Sequence, residues 1–567
     1  MLKPSVSDVD SAKPRRILIV GGVAGGASCA TRLRRLDEHA DIVVFERGPH
    51  VSFANCGLPY YVGDVIKEEA KLLVATPELF RTRFAIDVRP MHDVLRIDRE
   101  KRTIEVKRRS DGVVTVEAYD KLVLATGAAP IRPPLPGIDL PGIFAIRTVP
   151  DARAVRTWID ERKARHALVV GGGFIGCEMA ENLQQRGLTA HMVELAQQIM
   201  PPFDPEMALA GETSLRNHGV EISLGVRVES FTQQGERIAA RLSDGTVIET
   251  DLVILAIGIR PESALAREAG LAIGTEGHIR VDGAMRTSDP SIYAVGDAVE
   301  VNDVVTGNIA HIPLAGPANR QGRIAADALC GRSSRFRGLQ GTAVCGIFET
   351  TLAMTGETEK SLLRRGITDY SVAHVHPGHH VGYFPGARPM HLKLIFRPSD
   401  GRILGAQCSG EVGPERRIDV IASFIQMRGT VFDLEEAELC YAPQFGAAKD
   451  PVNMVGMVAA NAVRGDLVLA PWINAETSGA VLLDVRDPDE IKTPLMPGIL
   501  NIPIAMLRDR LDELPRDRDV WVTCAVGQRA YNATRILRQH GIRAALLTGG
   551  ARTLAALRGA RLAPSPT

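Results

Sequence analysis

Short apolar stretches alternate along the chain with glycine-rich turns and with amphipathic stretches long enough to form helices. Two segments share one pattern, in which an apolar strand enters a glycine turn, a helix follows, and a second strand ends in a glutamate. The first pattern begins with RILIV (16–20) and ends at Glu46, and the second begins with ALVV (167–170) and ends at Glu194. Their repetition predicts two Rossmann-like α/β units.

The later part of the chain keeps a mixed α/β pattern but has no further nucleotide motif. The segment MHLKLIF (390–396) predicts a strand, and IDVIASFIQM (418–427) predicts a helix. A polar segment then precedes a new strand that opens at Val481. We therefore predict a domain boundary near residue 470.

Composition narrows the function classes. The chain has 567 residues, which suggests about four domains. Lys and Arg together number 67, as do Asp and Glu, so the formal net charge is zero. We expect neither nucleic acid nor a membrane as a partner, because a neutral chain offers no extended positive surface and no apolar run reaches about 18 residues. The N-terminus has no apolar core, so we predict no signal peptide and a cytoplasmic protein.

The eight cysteines contain no CxxC pair. This spacing argues against a structural zinc site and against a disulfide scaffold, and it suits a reducing compartment. The segment HVHPGHH (374–380) holds four histidines but no acidic or cysteine ligand. We predict a polar loop near the active site there, and no metal.

The first glycine turn, GGVAGG (21–26), lies between a strand and a helix, as a dinucleotide-binding turn requires. Glycines let backbone N–H groups approach a pyrophosphate at the helix N-terminus. Glu46, at the end of the next strand, is placed to accept hydrogen bonds from ribose hydroxyls. Val23 replaces the middle glycine of G-x-G-x-x-G, so a turn without a ligand remains an alternative for this motif alone.

Two later segments strengthen the assignment. LATG, which ends at Gly127, and TSDPSIYAVGD, which ends at Asp297, resemble motifs of two-dinucleotide flavoproteins. That resemblance implies that Asp297 contacts the ribityl chain of FAD. The predicted FAD residues are Gly21, Gly22, Ala24, Gly25, Gly26, Glu46, Arg47, Thr126, Gly127 and Asp297.

The second glycine turn, GGGFIG (171–176), satisfies G-x-G-x-x-G in full. The Glu194 carboxylate would pair with a free 2′-hydroxyl and repel a 2′-phosphate, which favours NADH over NADPH. One site for each cofactor predicts a hydride path from NADH through the flavin to a substrate. The predicted NAD residues are Gly171, Gly173, Phe174, Ile175, Gly176, Glu178 and Glu194.

Cys56 follows the first turn, in SFANCGLPYY. Dithiol reductases of this superfamily carry a second cysteine five positions later, where this chain has Tyr61. Cys56 would therefore pair with a ligand thiol or cycle through a sulfenic acid. A buried, inert cysteine is the alternative.

Six segments together resemble the coenzyme A-disulfide reductases, which are single-cysteine pyridine nucleotide-disulfide oxidoreductases. These segments are GGVAGGAS, SFANCGLPYY, LATGAAP, GGGFIG, PLAGPANRQGR and YAPQFGAAKDPVN. The resemblance covers about 15–460 and implies a homodimer in which Cys56 forms a mixed disulfide with coenzyme A. It places Ser52 and Asn55 around that sulfur, and it makes Arg32 and Arg35 candidates for the CoA phosphates.

The same resemblance brings Tyr383 and Tyr441 of the partner subunit near the cysteine, where a phenol could protonate the leaving CoA thiolate. It also places Phe445 against the partner's flavin. The family motif often reads Tyr-Tyr-Pro, whereas here Phe384 replaces the second tyrosine, so only one of that pair remains. NADH peroxidases carry a histidine at the position of Ala24, which counts against peroxide chemistry.

The last hundred residues resemble a single rhodanese domain, through LLDVRDPDE, GILNIP, WVTCAVGQRAYNATRILRQHG and LLTGG. The loop from Cys524 to Arg529 would point N–H groups at the cysteine sulfur, and Arg529 would add positive potential. We expect Cys524 to carry a sulfane sulfur and Asp484 and Arg486 to brace the loop. The usual Gly-His-Ile is absent, so a degenerate binding domain is an alternative.

These predictions define an α/β protein with two nested Rossmann-like FAD and NAD domains, an α+β dimerisation domain and a C-terminal α/β rhodanese domain. The predicted bounds are 15–160 and 281–335 for FAD, 161–280 for NAD, 336–465 for dimerisation and 475–560 for rhodanese. The predicted catalytic residues are Cys56, Cys524, Tyr383, Tyr441 and Arg529.

The function that we predict is FAD-dependent reduction of coenzyme A persulfide or polysulfide by NADH, of the persulfide reductase type. It would release sulfide through a Cys56–CoA mixed disulfide, with Cys524 as the sulfane-sulfur carrier. The alternatives are a CoA-disulfide reductase with an accessory rhodanese domain, an NADH oxidase or peroxidase, and a sulfur carrier or redox sensor without rapid turnover.

Overall fold

The computed structural model describes residues 14–560, and its contacts divide the chain into two compact units. Unit 1 comprises Met1–Pro134, Gly142–Lys163 and Ile257–Leu339, and unit 2 comprises the remaining segments, Leu135–Pro141, Ala164–Ala256 and Gln340–Thr567. The N-terminal segment, for which we expected no signal peptide, lies outside the described residues up to residue 13. Within 14–560, no helix is both long and apolar enough to cross a membrane.

The first part of unit 1 contains a strand that leads into a glycine turn and then a helix. The interior side chains of that strand, from Ile17 to Val20, are buried on both faces, as in parallel sheets that helices cover. In chain order the elements are β1 (Arg16–Val20), α1 (Ala24–Arg34), β2 (Asp41–Glu46), α2 (Leu58–Val62), α3 (Pro77–Phe84), β3 (Asp87–Pro90), β4 (His92–Asp98), β5 (Thr103–Arg108), β6 (Val114–Ala118), β7 (Lys121–Leu124), β8 (Ala128–Pro130), β9 (Ile143–Phe144) and α4 (Val149–Arg162).

Unit 2 begins with a second strand–turn–helix pattern. Its elements are β10 (His166–Val170), α5 (Phe174–Gln185), β11 (Thr189–Glu194), α6 (Pro205–Asn217), β12 (Glu221–Leu224), β13 (Val228–Gln234), β14 (Arg237–Leu242), β15 (Val247–Thr250) and β16 (Leu252–Leu255). Strands β12, β11, β10 and β16 pair in that order and in parallel, while β13, β14 and β15 form an antiparallel sheet. The pairing of β10 with β11 repeats that of β1 with β2.

The chain then returns to unit 1. The elements of this part are β17 (Ile259–Pro261), α7 (Ala264–Glu268), β18 (Ile279–Arg280), β19 (Ile292–Ala294), β20 (Val299–Asn302), β21 (Ile309–Ala310) and α8 (Ala315–Leu329). Strand β19 completes a parallel sheet in the order β19-β7-β1-β2-β3. We predicted an NAD-binding segment to residue 280, but residues from Ile257 onward group with unit 1, because β17 pairs with β8.

Residues 340–463 of unit 2 form an antiparallel sheet with helices packed on it. The elements are β22 (Ala343–Ile347), β23 (Thr350–Gly356), α9 (Glu359–Arg364), β24 (Ser371–Val375), β25 (Met390–Phe396), β26 (Ile403–Gly410), α10 (Pro414–Gln426), α11 (Val431–Glu435) and α12 (Pro451–Val463). The strand order is β22-β23-β26-β25-β24. The strand predicted at 390–396 has those bounds, whereas the helix predicted at 418–427 begins earlier, because Gly413 is left-handed and Pro414 suits a first turn.

The last part of unit 2 is a five-stranded parallel sheet with its own core. Its elements are β27 (Leu469–Ala470), β28 (Val481–Asp484), β29 (Leu500–Asn501), β30 (Val520–Thr523), α13 (Gln528–Gln539), β31 (Ala544–Leu547) and α14 (Gly550–Gly559). The order is β27-β31-β30-β28-β29. Leu483, Val522 and Leu537 are fully buried in this core, which also contains Cys524. Cys524 directly follows Thr523, at the carboxyl end of the central strand β30.

Candidate active site

The first glycine turn is fitted to an anionic ligand. The N–H of Gly22 donates to Oε2 of Glu46 at 2.9 Å. A Cβ on Gly26 would lie 1.9 Å from the Gly21 carbonyl oxygen, so only glycine lets α1 start so close to the turn. Helix α1 begins at Ala24. It has no capping side chain and no acidic residue in its first turn. Its first N–H groups are therefore available for a pyrophosphate.

Of the other predicted FAD residues, Asp297 lines a cavity of about 280 Å³ in unit 1. The Arg147 guanidinium approaches Asp297 Oδ2 at 3.4 Å. A Cβ on Gly127 would lie 3.0 Å from the same guanidinium, and the Thr126 hydroxyl donates to the Glu262 carbonyl oxygen at 2.6 Å. The carboxylate of Asp297 is thus placed on the wall of a cavity, where a hydroxylated chain could bind.

The second glycine turn repeats the first in unit 2. The N–H of Gly172 donates to Glu194 Oε2 at 2.6 Å, and a Cβ on Gly176 would lie 1.9 Å from the Gly171 carbonyl oxygen. A Cβ on Gly173, the cap of α5, would meet nothing within 4 Å, so open space lies before the helix. No capping side chain and no acidic residue occupies the first turn of α5. This turn fits a second dinucleotide by the same criteria.

The remaining predicted NAD residues lie on α5. Phe174 tilts against Phe203 with ring centroids 6.5 Å apart, and the side chain of Ile175 is exposed. Burial, followed by the charge of Glu181, raises the pKa of Glu178 to about 7. Glu178 can therefore exchange a proton near neutral pH.

Cys56 is exposed, and it lies in a short 3₁₀ turn, Asn55–Gly57, immediately before α2. Ser52 has a left-handed φ of 45°, and its N–H donates to the Gly22 carbonyl oxygen at 2.9 Å. This bond joins the Cys56 segment to the first glycine turn, within unit 1. The exposure of Cys56 argues against the alternative of a buried, inert cysteine.

The predicted ligand-binding arginines differ in their partners. Arg32, a candidate for the CoA phosphates, contacts Asp327 at 2.8 Å, and Arg47, a predicted FAD residue, contacts Glu262 at 3.2 Å. Arg35, at the end of α1, is exposed. A phosphate at Arg32 would have to displace a carboxylate, so Arg35 is the better placed of the two predicted CoA ligands.

Two predicted tyrosines meet in unit 2, although 58 positions separate them. The phenol oxygens of Tyr383 and Tyr441 lie 2.8 Å apart, and both side chains are exposed, as is that of Phe445. The hydrogen bond with Tyr383 raises the pKa of Tyr441 above its ordinary value. Phe384 removes one tyrosine of the family motif, but Tyr441 places a second phenol beside Tyr383.

Backbone N–H groups of the Cys524 loop and of the helix that follows it donate to the cysteine sulfur. Sγ accepts N–H groups from Gly527 at 3.2 Å and from Ala530 at 3.4 Å, at the start of α13. Arg486 and Asp484 form a buried ion pair at 2.7 Å. This is the geometry of an anion nest, which favours a thiolate or a persulfide anion.

Arg529 does not point a free charge at this loop. Its guanidinium contacts Glu490 at 2.7 Å and Asp487 at 3.2 Å. The bond from Arg529 is the main cause that lowers the pKa of Glu490 to about 2. The positive potential expected from Arg529 is therefore largely neutralised. Sequence reasoning missed Glu490 and Asp487, and the acidic run after Arg486 was the available signal.

A buried charge cluster in unit 2 was also missed. The Lys393 ammonium is fully buried and contacts Asp204 at 2.8 Å and Glu206 and Glu359 at 2.5 Å each. The carboxylates could hold a metal ion by their spacing, but the ammonium group is the cation that they face. A single lysine in the apolar strand MHLKLIF was the only signal for this cluster.

Comparison with known families gives three matched regions along the chain. Residues 15–322 match the family described as pyridine nucleotide-disulphide oxidoreductase. The chain belongs to this family. Residues 342–450 match the family's dimerisation domain, and residues 471–556 match the rhodanese-like domain.

Individual relatives resemble most of the chain. The coenzyme A disulfide reductase of Staphylococcus epidermidis is 35% identical over 447 residues, which are 78% of this chain and 99% of the relative. The structure of reduced Bacillus anthracis CoADR-RHD has a TM-score of 0.94 and 47% identity, over 97% of this chain and 99% of that chain. The NAD-dependent persulfide reductase of A. fulgidus has a TM-score of 0.87 and 36% identity, over 95% and 99%.

These matches confirm three of our predictions. The family, the α/β fold class with its dimerisation and rhodanese domains, and the enzyme class of oxidoreductase are as expected. The predicted domain limits and site residues remain predictions that the geometry above makes testable.

Proposed function

We propose that the protein is an NADH-dependent flavoprotein that reduces coenzyme A persulfide, or polysulfide, and releases sulfide. The observation that carries this proposal is one exposed cysteine, Cys56, joined to a dinucleotide turn in a chain that also has a sulfur-binding loop at Cys524. The similarity to proteins named coenzyme A disulfide reductase and persulfide reductase supports it.

The cofactors of this proposal are FAD at the turn that contains Gly21 and NADH at the turn that contains Gly171. FAD bound there would pass two electrons from NADH to a disulfide. Glu194 favours NADH because its carboxylate would repel a 2′-phosphate. The family match supports FAD, and the relatives named for coenzyme A and for NAD support coenzyme A and NADH.

The chemical step begins with the Cys56 thiolate, which attacks the CoA sulfur of the persulfide. Cys56–S⁻ and CoA–S–SH give Cys56–S–S–CoA and HS⁻, so one S–S bond forms as one breaks. Two electrons from NADH then cleave the mixed disulfide. The sum is CoA–SSH + NADH → CoA–SH + HS⁻ + NAD⁺.

In a homodimer, Tyr383 and Tyr441 of the partner subunit would protonate the CoA thiolate that leaves Cys56. The match to a dimerisation domain supports the dimer, and the exposure of these tyrosines and of Phe445 suits residues that await a partner. A phenol of ordinary or raised pKa is protonated at neutral pH, so Tyr441 would carry a proton to donate.

Cys524 would supply the substrate. A persulfide on Cys524 would transfer its outer sulfur to coenzyme A, so that Cys524–SSH and CoA–S⁻ give Cys524–S⁻ and CoA–SSH. The N–H groups of Gly527 and Ala530 stabilise the thiolate that this step leaves.

A comparison of two substrates tests this function. NADH oxidation is measured with CoA persulfide and with CoA disulfide, in the wild type and in the Cys56→Ser and Cys524→Ser variants. We expect the persulfide to be the better substrate, Cys56→Ser to abolish both reactions, and Cys524→Ser to spare turnover of preformed CoA persulfide. Full activity in Cys56→Ser would refute the mechanism.

The second candidate is a CoA-disulfide reductase with an accessory rhodanese domain. It is favoured by the Staphylococcus epidermidis relative, whose matched length is only 78% of this chain. A markedly higher kcat/KM for CoA disulfide would select it. An oxygen-dependent NADH consumption without either substrate would point instead to the oxidase alternative, since a water-forming NADH oxidase of Lactobacillus brevis has a TM-score of 0.76 at 28% identity.

A further inference from the structure

Three histidines of unit 2, His374, His376 and His391, lie together at the end of strands β24 and β25. His374 Nδ1 lies 2.9 Å from His391 Nε2, and the ring of His376 stacks on His391 with centroids 4.2 Å apart. Burial is the main cause that lowers the pKa of each of the three, and that of His376 falls to about 2. The cluster is therefore neutral in the working range of pH and acts through hydrogen bonds.

This cluster contacts residues 548–553, between β31 and α14. The N–H of His374 donates to the Thr548 hydroxyl at 2.8 Å, and His376 Nε2 lies 2.8 Å from the Thr553 hydroxyl. Gly549 has a left-handed φ of 69°, and a Cβ there would lie 2.7 Å from His374 Cβ. The two segments therefore fit closely, and any added atom at Gly549 would separate them.

The same residues 548–553 support the Cys524 loop from the other side. The N–H of Ala551 donates to the Cys524 carbonyl oxygen at 2.8 Å, and the N–H of Arg552 donates to the Ala525 carbonyl oxygen at 3.1 Å. A Cβ on Gly550 would lie 2.4 Å from the Cys524 carbonyl oxygen. One short segment thus contacts both the histidines and the loop.

The histidine segment also continues to the tyrosine pair. Seven residues after His376 the chain reaches Tyr383. On the way, the His379 carbonyl oxygen accepts from Arg417 at 2.8 Å, and the N–H of Val381 donates to the Gly446 carbonyl oxygen at 3.0 Å. Gly446 follows Phe445 in the loop that carries Tyr441, so these bonds fix both tyrosines to the histidine segment.

We propose that the segment His374–His376, with His391 packed against it, positions the Cys524 loop relative to the Tyr383–Tyr441 pair, through the backbone N–H of His374 and the ring of His376. The inference rests on the proposed function, in which Cys524 passes sulfur to coenzyme A and the tyrosines serve the CoA thiolate. A misplacement of about 1 Å at such a step can lower the rate as much as a hundredfold. In this proposal the histidines act only through the segment that they hold.

The test removes both hydroxyl contacts without changing side-chain shape. Thr548→Val/Thr553→Val is compared with Thr548→Ser/Thr553→Ser, which keeps the hydroxyls. The assay follows NADH oxidation when an excess of sulfane donor must reach coenzyme A through Cys524, beside NADH oxidation with CoA disulfide. We expect the valine variant to lose about tenfold in the first reaction and nothing in the second, and the serine variant to keep the first.

Two controls keep the outcomes distinct. The rate at which iodoacetamide alkylates Cys524, measured by peptide mass, should change in the valine variant and recover in the serine variant. If Cys524→Ser keeps the donor-dependent reaction, Cys524 is not the sulfur carrier. The alkylation rate of Cys524 then tests by itself whether the histidine segment positions the Cys524 loop. Unchanged alkylation and unchanged turnover in a folded valine variant would overturn the inference, as would an equal loss with CoA disulfide.

Discussion

Hydrogen bonds between neighbouring side chains shift pKa values in the tyrosine pair and next to the Cys524 loop, at the scale of single residues. The Tyr383 phenol raises the pKa of Tyr441, and the Arg529 guanidinium lowers the pKa of Glu490 to about 2. A phenol is protonated and a carboxylate ionised at neutral pH with or without these shifts. The two shifts instead show that each group is held by a hydrogen-bonding partner, and the largest single cause is Tyr383 for Tyr441 and Arg529 for Glu490.

Replacement of Tyr441 by phenylalanine removes the phenol and keeps the ring. We expect kcat for CoA disulfide to fall by about a hundredfold, the ordinary contribution of a general acid. Because the two phenols act as one hydrogen-bonded pair, Tyr383→Phe/Tyr441→Phe should be little worse than Tyr441→Phe alone. Tyr531→Phe, on helix α13, is the matched control and should keep full activity. Equal kcat in Tyr441→Phe and the wild type would exclude an acid role.

Replacement of Glu490 by glutamine should leave Asp487 as the one carboxylate of residues 14–560 that contacts Arg529, so that more of the guanidinium's positive potential acts on Cys524. We expect a severalfold faster alkylation of Cys524, since a nearby cation favours the thiolate. Glu513→Gln breaks a similar surface pair, with Arg510, and should have no effect. The pKa of Glu490 lies below its unfolded value, so the pair stabilises the fold above that value and is lost only as pH falls toward about 2. Alkylation that slows in Glu490→Gln would contradict this assignment.

The two glycine turns are the candidate dinucleotide sites at the scale of elements. In each of them a helix begins against the turn, and a glutamate from the neighbouring strand accepts the N–H of the second glycine. Added atoms at Gly26 or Gly176 would meet a carbonyl oxygen at 1.9 Å. The two turns are thus alike in structure, and they should differ only in the dinucleotide that each one binds.

A matched pair of substitutions separates the two turns. Gly26→Ala should lose FAD, measured as flavin absorbance per protein after gel filtration. Gly176→Ala should retain FAD but raise the KM for NADH by about tenfold or more, because the helix can no longer approach the turn. Loss of flavin from Gly176→Ala, with retention in Gly26→Ala, would reverse the two assignments.

Local pattern predicted the elements well, because strand and helix periodicities depend on near neighbours. The two strand–turn–helix segments and the strand at 390–396 follow from sequence alone. Three contacts did not follow from sequence. They are the pairing of Arg529 with Glu490, the contact of Tyr383 with Tyr441, and the bond of His374 to Thr548. These contacts join distant positions, and they depend on how whole strands and helices pack.

The whole molecule distributes the proposed chemistry over two units. Unit 1 contains Cys56 and the first glycine turn, while unit 2 contains the second turn, the tyrosine pair and Cys524. The Cys524 domain has a separate core, which allows it to be an addition to a reductase that is complete without it. The coenzyme A disulfide reductase of Staphylococcus epidermidis matches 78% of this chain, and the Bacillus anthracis CoADR-RHD structure matches 97% of it.

The central claim is that Cys56 forms a mixed disulfide with coenzyme A. The most direct measurement is the intact mass of the holoenzyme after one equivalent of CoA persulfide without NADH, together with the sulfide released. The account predicts one coenzyme A per subunit on Cys56, one equivalent of sulfide, and complete removal of the adduct by NADH. An adduct that persists in Cys56→Ser, or its absence from the wild type while turnover continues, would contradict it.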